Sequence, residues 1–144
     1  SSNNKVVISS TLASTSKDTG ALVVEGGLGV EGSIHAGNDI IAFSSSDATL
    51  KKDITPIENA LEMINKISGN TFTWNTGIQH LIPYENGTKD TGILAQEVEA
   101  LGLPGVTTTR GDGVKAVRYE RLIPVLIEAV KELTAKVKSL ESNK

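Results

Sequence analysis

Residues 118–141 read RYERLIPVLIEAVKELTAKVKSLE, the most regular stretch of the chain. Their apolar residues recur at alternating steps of three and four, which is the heptad repeat of a coiled-coil helix. The a and d positions together form one narrow seam: Ile123, Val130 and Val137 at a, and Leu126, Leu133 and Leu140 at d. A helix of this length spans about 36 Å at ~1.5 Å per residue. Pro124 is compatible with it if the regular helix begins near Ile123.

The seam has two interpretations. It packs either on the helix's own domain or on copies of the same helix in an oligomer. A seam this narrow and this long favours oligomerisation. We therefore expect a coiled-coil helix over residues 118–141.

The chain changes character near residue 45. Residues 1–45 hold only six charged side chains and six glycines, whereas residues 46–144 hold the other 25 charges. Short apolar runs between glycines in the first part are typical of β-strands joined by tight turns. That part has too little apolar mass for its own core. We expect it to be the end of an intertwined β stalk whose strands pair between chains.

Residues 46–144 have the pattern of a small α+β domain. The expected elements are a short helix after Pro56 that stops near Gly69, a strand at 71–74, an irregular loop at 77–91, a strand leading into a helix at 92–98, a hairpin at 106–117 with Asp-Gly at its tip, and the long final helix. The predicted fold class is therefore α+β, preceded by the stalk segment.

Composition excludes several classes of function. Only 3% of residues are aromatic, which predicts a thin aliphatic core and no platform for stacking bare bases. The net charge of −3 gives no basic surface for nucleic acid. The chain has no cysteine and two distant histidines, so we expect no metal and no cofactor. No apolar run approaches the ~20 residues of a membrane helix. Most of the few aromatic residues are expected in the core of residues 46–144.

A serine run beside two lysines is the candidate for chemistry. Ser44, Ser45 and Ser46 are followed by Lys51 and Lys52. Without cysteine or a nearby histidine, nucleophilic catalysis could use a serine with a lysine as its base. Spacing alone supports this weakly, because such a run is also typical of a solvated linker. Residues five apart lie ~140° around a helix and on opposite faces of a strand, so Ser46 and Lys51 could meet only across a bend or between chains.

Three motifs then occur in order: SDATLKKDI at 46–54, GILAQEV at 92–98 and VRYERLIPVLIEAVKEL at 117–133. Together they resemble the self-cleaving C-terminal intramolecular chaperone domains of phage tailspikes and tail fibres, of the endosialidase type. Residues 1–45 likewise resemble the last stalk repeat of a phage fibre. The resemblance covers nearly all of residues 46–144.

The resemblance implies a mechanism and its residues. Ser46 would be the nucleophile, Lys51 the general base, and Ser45–Ser46 the scissile bond. Gln96 and Glu97 are polar residues in an otherwise apolar motif and are expected to support the site. The family often has arginine where this chain has Thr49, so cleavage here is expected to be slower if that arginine assists the lysine.

The resemblance also implies a function and its partners. The domain would form a homotrimer, guide folding of the fibre stalk of the same polypeptide, and then release itself as a single-turnover serine peptidase. β-Branched residues at a with leucine at d favour two strands, but a globular domain and an intertwined stalk outweigh three short heptads, and we expect the trimer. The stalk part would belong to the virion tail fibre, and the chaperone part would act in the host cytoplasm during assembly. The alternative is a non-cleaving trimerisation or adhesion module at a fibre tip.

Overall fold

A computed structural model describes residues 4–42, 44–75, 77 and 87–143. The chain divides into two compact units, Ser1–Ile40 and Ile41–Lys144.

The first unit has no helix and no strand among its described residues, 4–40. Its one local hydrogen-bonded turn is closed by Thr19, whose hydroxyl oxygen accepts from the amides of Thr15 at 2.8 Å and Ser16 at 2.9 Å. The apolar side chains are exposed, to 92% at Val6. The strands predicted for this segment are therefore absent from its described residues in the single chain. The intertwined stalk, which requires partner chains, stays a prediction.

The second unit mixes short helices with two small sheets, as the predicted class requires. Its elements are a 3₁₀ turn Ala48–Leu50, helix α1 Ala60–Ile64, strands β1 Asn70–Thr73 and β2 Lys89–Gly92, helix α2 Ala95–Glu99, strands β3 Thr107–Thr109 and β4 Lys115–Val117, a 3₁₀ turn Tyr119–Leu122, and helix α3 Ile123–Ser142. Each sheet is an antiparallel pair, β1 with β2 and β3 with β4.

The predicted loop at 77–91 is wrong at its end. Residues 89–91 belong to β2, where Thr91 lies opposite Thr71 and Lys89 lies opposite Thr73. The strand was missed because its side chains are polar, so it has no apolar alternation, and the backbone ladder to β1 holds it in place. The part of that loop at 78–86 lies outside the described residues.

The predicted hairpin is confirmed. Thr107 pairs with Val117 and Thr109 with Lys115, and the amide of Arg110 donates to the carbonyl of Val114 at 2.8 Å. Gly113 has a φ of +83°, a conformation that glycine adopts without a steric penalty. The Asp-Gly pair thus lies in the tight turn that the sequence predicted.

The core is small and aliphatic, as composition predicted. The buried residues of the described part form two clusters: Ala60, Val125 and Ala129 in one, and Val98, Val106 and Leu122 in the other. Leu103 packs against both clusters. A core of this size gives a domain of marginal stability on its own.

The expected placement of aromatic residues in this core is wrong for those that the structure describes. Phe72 and Trp74 are half-buried and pack edge to face with ring centroids 5.1 Å apart. Tyr119 is 54% exposed, and its hydroxyl oxygen accepts from the amide of Ile93 at 3.2 Å. Gly92 permits this approach, since a Cβ there would lie 2.7 Å from that hydroxyl. Phe43 and Tyr84 lie outside the described residues.

Helix α3 packs on its own domain through a stripe other than the seam. Val125 and Ala129 face the core, one residue out of step with the a and d positions. The six seam residues remain between 46% and 69% exposed. Pro124 lies in the first turn of α3, where its missing amide hydrogen has no helical partner to lose.

Glu132 joins α3 to the start of α1. Its two carboxylate oxygens accept from the amides of Ala60 at 2.8 Å and Leu61 at 3.1 Å. These amides are among the first of α1 and have no acceptor within the helix. Asn59, at the usual capping position, makes no side-chain cap bond. Glu132 therefore supplies the cap from a different helix.

We expect Glu132→Ala to lower the free energy of unfolding by about 1–3 kcal/mol, because two partly buried amides lose their acceptors. Urea denaturation followed by circular dichroism measures the change. The matched control is Glu141→Ala on the exposed end of the same helix, expected within about 0.5 kcal/mol of the parent. Equal midpoints for the two variants would contradict the capping role.

Candidate functional site

Ser46 and Lys51 meet in the single chain. The side-chain nitrogen of Lys51, Nζ, donates a hydrogen bond to Ser46 Oγ at 2.8 Å. The 3₁₀ turn Ala48–Leu50 between them supplies the bend that their spacing demands. Of the two geometries that the sequence left open, the structure holds the contact across a bend within one chain.

Asp47 caps the turn that brings the two side chains together. Its Oδ1 atom accepts from the amide of Thr49 at 2.8 Å and from the hydroxyl of Thr49 at 2.7 Å. Two backbone bonds complete the turn, Leu50 to Asp47 and Lys51 to Ala48, both at 3.1 Å. Asp47 and Lys51 are themselves extended, so the chain enters and leaves the turn as a strand-like segment. Aspartate at this position is a preferred helix cap.

The same bonds set the charge of Asp47. The hydroxyl of Thr49, and then its amide, hold the pKa of the Asp47 carboxyl below its usual range. Hydrogen bonds to a carboxylate favour its ionised form. The cap therefore remains charged at neutral pH.

The segment around the predicted scissile bond lines a groove of the second unit. Ser44, Ser45 and Ser46 share a cavity of about 760 Å³ with apolar residues of the loop before β3 and of the start of α3. Glu120 and Arg121 are its charged lining residues. The Arg121 guanidinium lies over Gly105, where a Cβ would be 2.7 Å from Nη1. The Ser45–Ser46 bond therefore lies beside this open groove, with both serines exposed.

The dyad itself is open to solvent in the single chain. Ser46 and Lys51 are both exposed, as are all the residues between them. A lysine acts as a general base in its neutral form, which burial among apolar atoms favours. The single chain thus supplies the geometry of a Ser-Lys pair without a dry environment.

Gln96 and Glu97 lie elsewhere in the structure, away from the dyad. Glu97 Oε2 accepts from the amide of Ser68 at 2.7 Å. Gln96 lines a second cavity, with Phe72 and Trp74 among its walls. No hydrogen bond of the described residues joins either side chain to Ser46 or Lys51. Asp47 and Thr49 instead shape the turn between the two residues of the pair, through hydrogen bonds to each other.

Sequence reasoning missed the role of Thr49. It treated Thr49 only as a departure from the arginine of similar domains. The available signal was an aspartate followed two residues later by threonine, a pattern of local side-chain capping.

Neither a metal-binding cluster nor a membrane-spanning helix is found among the described residues. No group of three or more histidine, aspartate or glutamate side chains there could hold a metal ion. Likewise, no helix among these residues is long and apolar enough to cross a membrane.

One protein family is similar to part of the second unit. Residues 46–108 match the model of the family described as chaperone of endosialidase. The match begins at Ser46, the residue predicted to follow the scissile bond. It covers the first two of the three motifs, and this part of the chain is similar in sequence to that family, as the motifs predicted.

The similar individual proteins are fibre proteins of phages. The chain is 35% identical over 103 residues to the long tail fiber protein Gp37 of Enterobacteria phage K3, covering 69% of this chain and 8% of that protein. It is 36% identical over 78 residues to Gp37 of Salmonella phage S16, covering 51% of this chain and 10% of that protein. The chain thus spans about a tenth or less of the length of these two relatives.

We expect the hydrogen bond from the Thr49 hydroxyl to lower the pKa of the Asp47 carboxyl by an amount that can be measured. Thr49→Val removes the larger of the two causes, so the pKa should rise toward the usual aspartate range. An NMR titration of the side-chain carboxyl carbons follows this change in a Ser46→Ala, Lys51→Met background, where no lysine at position 51 can pair with the freed carboxylate and lower its pKa. Glu62, whose pKa is lowered by the hydrogen bond and charge of Lys66, is the internal control and should not respond. An unchanged Asp47 pKa in Thr49→Val would contradict the observed cap.

Proposed function

We propose that residues 46–144 form an intramolecular chaperone that trimerises, guides folding of a phage tail fibre and then releases itself by cutting the Ser45–Ser46 bond. The 2.8 Å hydrogen bond between Lys51 Nζ and Ser46 Oγ carries the catalytic part of the proposal. The family match at residues 46–108 and the similarity to tail fibre proteins support the chaperone part.

The proposed reaction has two stages. Neutral Lys51 accepts the Ser46 hydroxyl proton while Oγ attacks the carbonyl carbon of Ser45. The C–N bond of the scissile peptide breaks, its nitrogen takes the proton, and an ester now joins the Ser45 carbonyl to Ser46 Oγ. Water then hydrolyses this ester, which leaves a carboxylate on Ser45 and restores the hydroxyl of Ser46. Each chain reacts once.

Because the dyad is exposed in the single chain, the proposed reaction depends on assembly. In the proposed mechanism, neighbouring chains of the trimer cover Ser46 and Lys51 and supply the apolar surroundings that favour a neutral lysine. Cleavage then follows assembly and acts as a check on folding.

The proposed trimer contact is the exposed seam of α3. Its six apolar residues stay outside the core of their own domain, and a helix packed against copies of itself would bury them. Joining three chains at this end raises their effective concentration to roughly millimolar and sets their register before the stalk pairs. Removal of the domain afterwards prevents the fibre from unfolding and refolding by the same route, so the folded fibre is trapped kinetically.

The alternative is a trimerisation or adhesion module that does not cut itself. The exposed seam supports this reading equally, because oligomerisation needs no dyad. Cleavage of the chain separates the two.

We expect the freshly expressed chain to give fragments of 45 and 99 residues on intact-mass analysis. Ser46→Ala should leave the chain whole, because no nucleophile remains. Lys51→Met should slow cleavage by about 10²–10⁴-fold, the range for loss of a general base. Ser44→Ala and Lys52→Met are the matched controls and should be cut like the parent. Normal cutting of Ser46→Ala would rule out the dyad, and an uncut parent would favour the alternative.

We expect the seam to set the oligomeric state. In a Ser46→Ala background, Leu133→Asp places a charge in the seam and should shift the sedimentation mass from trimer toward monomer. Ser139→Asp, on the same helix but outside the seam, should remain trimeric. If Leu133→Asp stayed trimeric as well, the contact would have to lie elsewhere.

A further inference from the structure

We propose that Asp47 and Thr49 are positioning residues for self-cleavage: the Thr49 hydroxyl holds the Asp47 carboxylate in the cap of the turn, which keeps Lys51 on Ser46 and the carboxylate off Lys51. This inference rests on the proposed self-cleavage and adds two residues to it. We call the Asp47 and Thr49 side chains together the clamp.

The turn between Ser46 and Lys51 has little else to hold it. The 3₁₀ segment Ala48–Leu50 buries no residue, so packing against the domain does not fix its shape. Its backbone contributes only the two bonds at 3.1 Å, and 3₁₀ hydrogen bonds have poor geometry. The shorter bonds, at 2.7 and 2.8 Å, both run from Thr49 to Asp47 Oδ1. The clamp is therefore the main local constraint on the turn.

The shape of the turn decides whether the dyad exists. In a regular helix or strand, side chains five residues apart point away from each other. Here the extended conformations of Asp47 and Lys51 on either side of the turn direct the two side chains back together. Loss of the clamp would release the turn into the many conformations of an exposed loop, in most of which the Ser46 Oγ and Lys51 Nζ atoms are apart.

The clamp also controls where the negative charge of the Asp47 carboxylate lies. Asp47 lies four residues before Lys51, and aspartate and lysine at that spacing on a helical turn pair readily. Such an ion pair would favour the charged lysine, which cannot act as a base. In the structure the carboxylate binds Thr49 instead. Within the described residues the Lys51 side chain makes no ion pair, and its Nζ atom donates to Ser46 Oγ alone.

The other charged groups nearby do not take over this role. Lys52 and Asp53 follow the dyad on the same segment, and Asp53 is in a left-handed conformation with φ of +53°. Glu120 and Arg121 line the groove beside Ser46. Neither Asp53 nor Glu120 forms an ion pair with Lys51 among the residues that the structure describes. Asp47 is therefore the carboxylate whose placement the clamp controls.

The experiment measures the first-order rate of cleavage of the full chain over a range of pH. Thr49→Val keeps the shape of threonine without its hydroxyl and should slow cleavage by roughly ten- to a hundredfold, the scale of a misplaced catalytic group. Its rate profile should also move to higher pH, because the freed Asp47 carboxylate can pair with Lys51. Thr49→Ser retains a hydroxyl and should lie within about threefold of the parent, without a shift in pH.

A second variant separates the two effects of the clamp. Asp47→Asn combined with Thr49→Val has no carboxylate to pair with Lys51. It should still cleave slowly, but its rate profile should return to that of the parent. A change that only loosened the structure would give both Thr49→Val chains the same profile.

The outcomes distinguish this inference from the function on which it rests. Parent-like rates and profiles for Thr49→Val, with Ser46→Ala uncut, would overturn the clamp and leave the dyad standing. An uncut parent chain, or a Ser46→Ala chain that is cut, would overturn both. Slow cleavage of Thr49→Ser equal to that of Thr49→Val would also count against the clamp, since the hydroxyl would then not be the cause.

Discussion

Helix α3 carries two apolar stripes one residue apart, and the rest of the domain depends on their separation. Val125 and Ala129 lie on the inner stripe and form a core with Ala60 of α1. The seam lies one residue further along, which is about 100° around the helix. Folding of the single domain therefore leaves the seam free, and the helix can serve a fold and an oligomer at once.

This separation matters because neither unit has a large core. The described part of the second unit has few buried side chains, and all of them are aliphatic. In residues 4–40 the side chains are exposed throughout. If these residues belong to the proposed intertwined stalk, almost all of its contacts lie between chains, and such contacts form slowly and with uncertain register. In the proposed function, the seam of α3, which forms within a single helix, associates with the seams of the other chains first. The slow contacts then form between chains that are already joined.

The sequence predicted the elements whose signals are local. The heptads of α3, the Asp-Gly hairpin and the helix after Pro56 each depend on a few neighbouring residues, and all are in the structure. It did not predict β2, whose polar residues are held by pairing with β1, nor which stripe of α3 faces the core, because both stripes have the same spacing. At the site, the pattern could not choose a bend over a contact between chains, and it gave no sign that Glu97 would bind the amide of Ser68.

The site has two requirements, one that its own segment meets and one that it does not. The geometry of Ser46 and Lys51 depends on the six consecutive residues 46–51 and a turn that buries nothing, so it can form as soon as this segment is made. A neutral lysine requires dry surroundings, and those must come from groups outside the segment. If the geometry of the dyad also depended on assembly, two slow steps would have to be completed together. In the proposed function, the turn is already closed and covering the dyad is the step left for assembly to control, so the exposed Ser-Lys pair does not cut the chain before assembly.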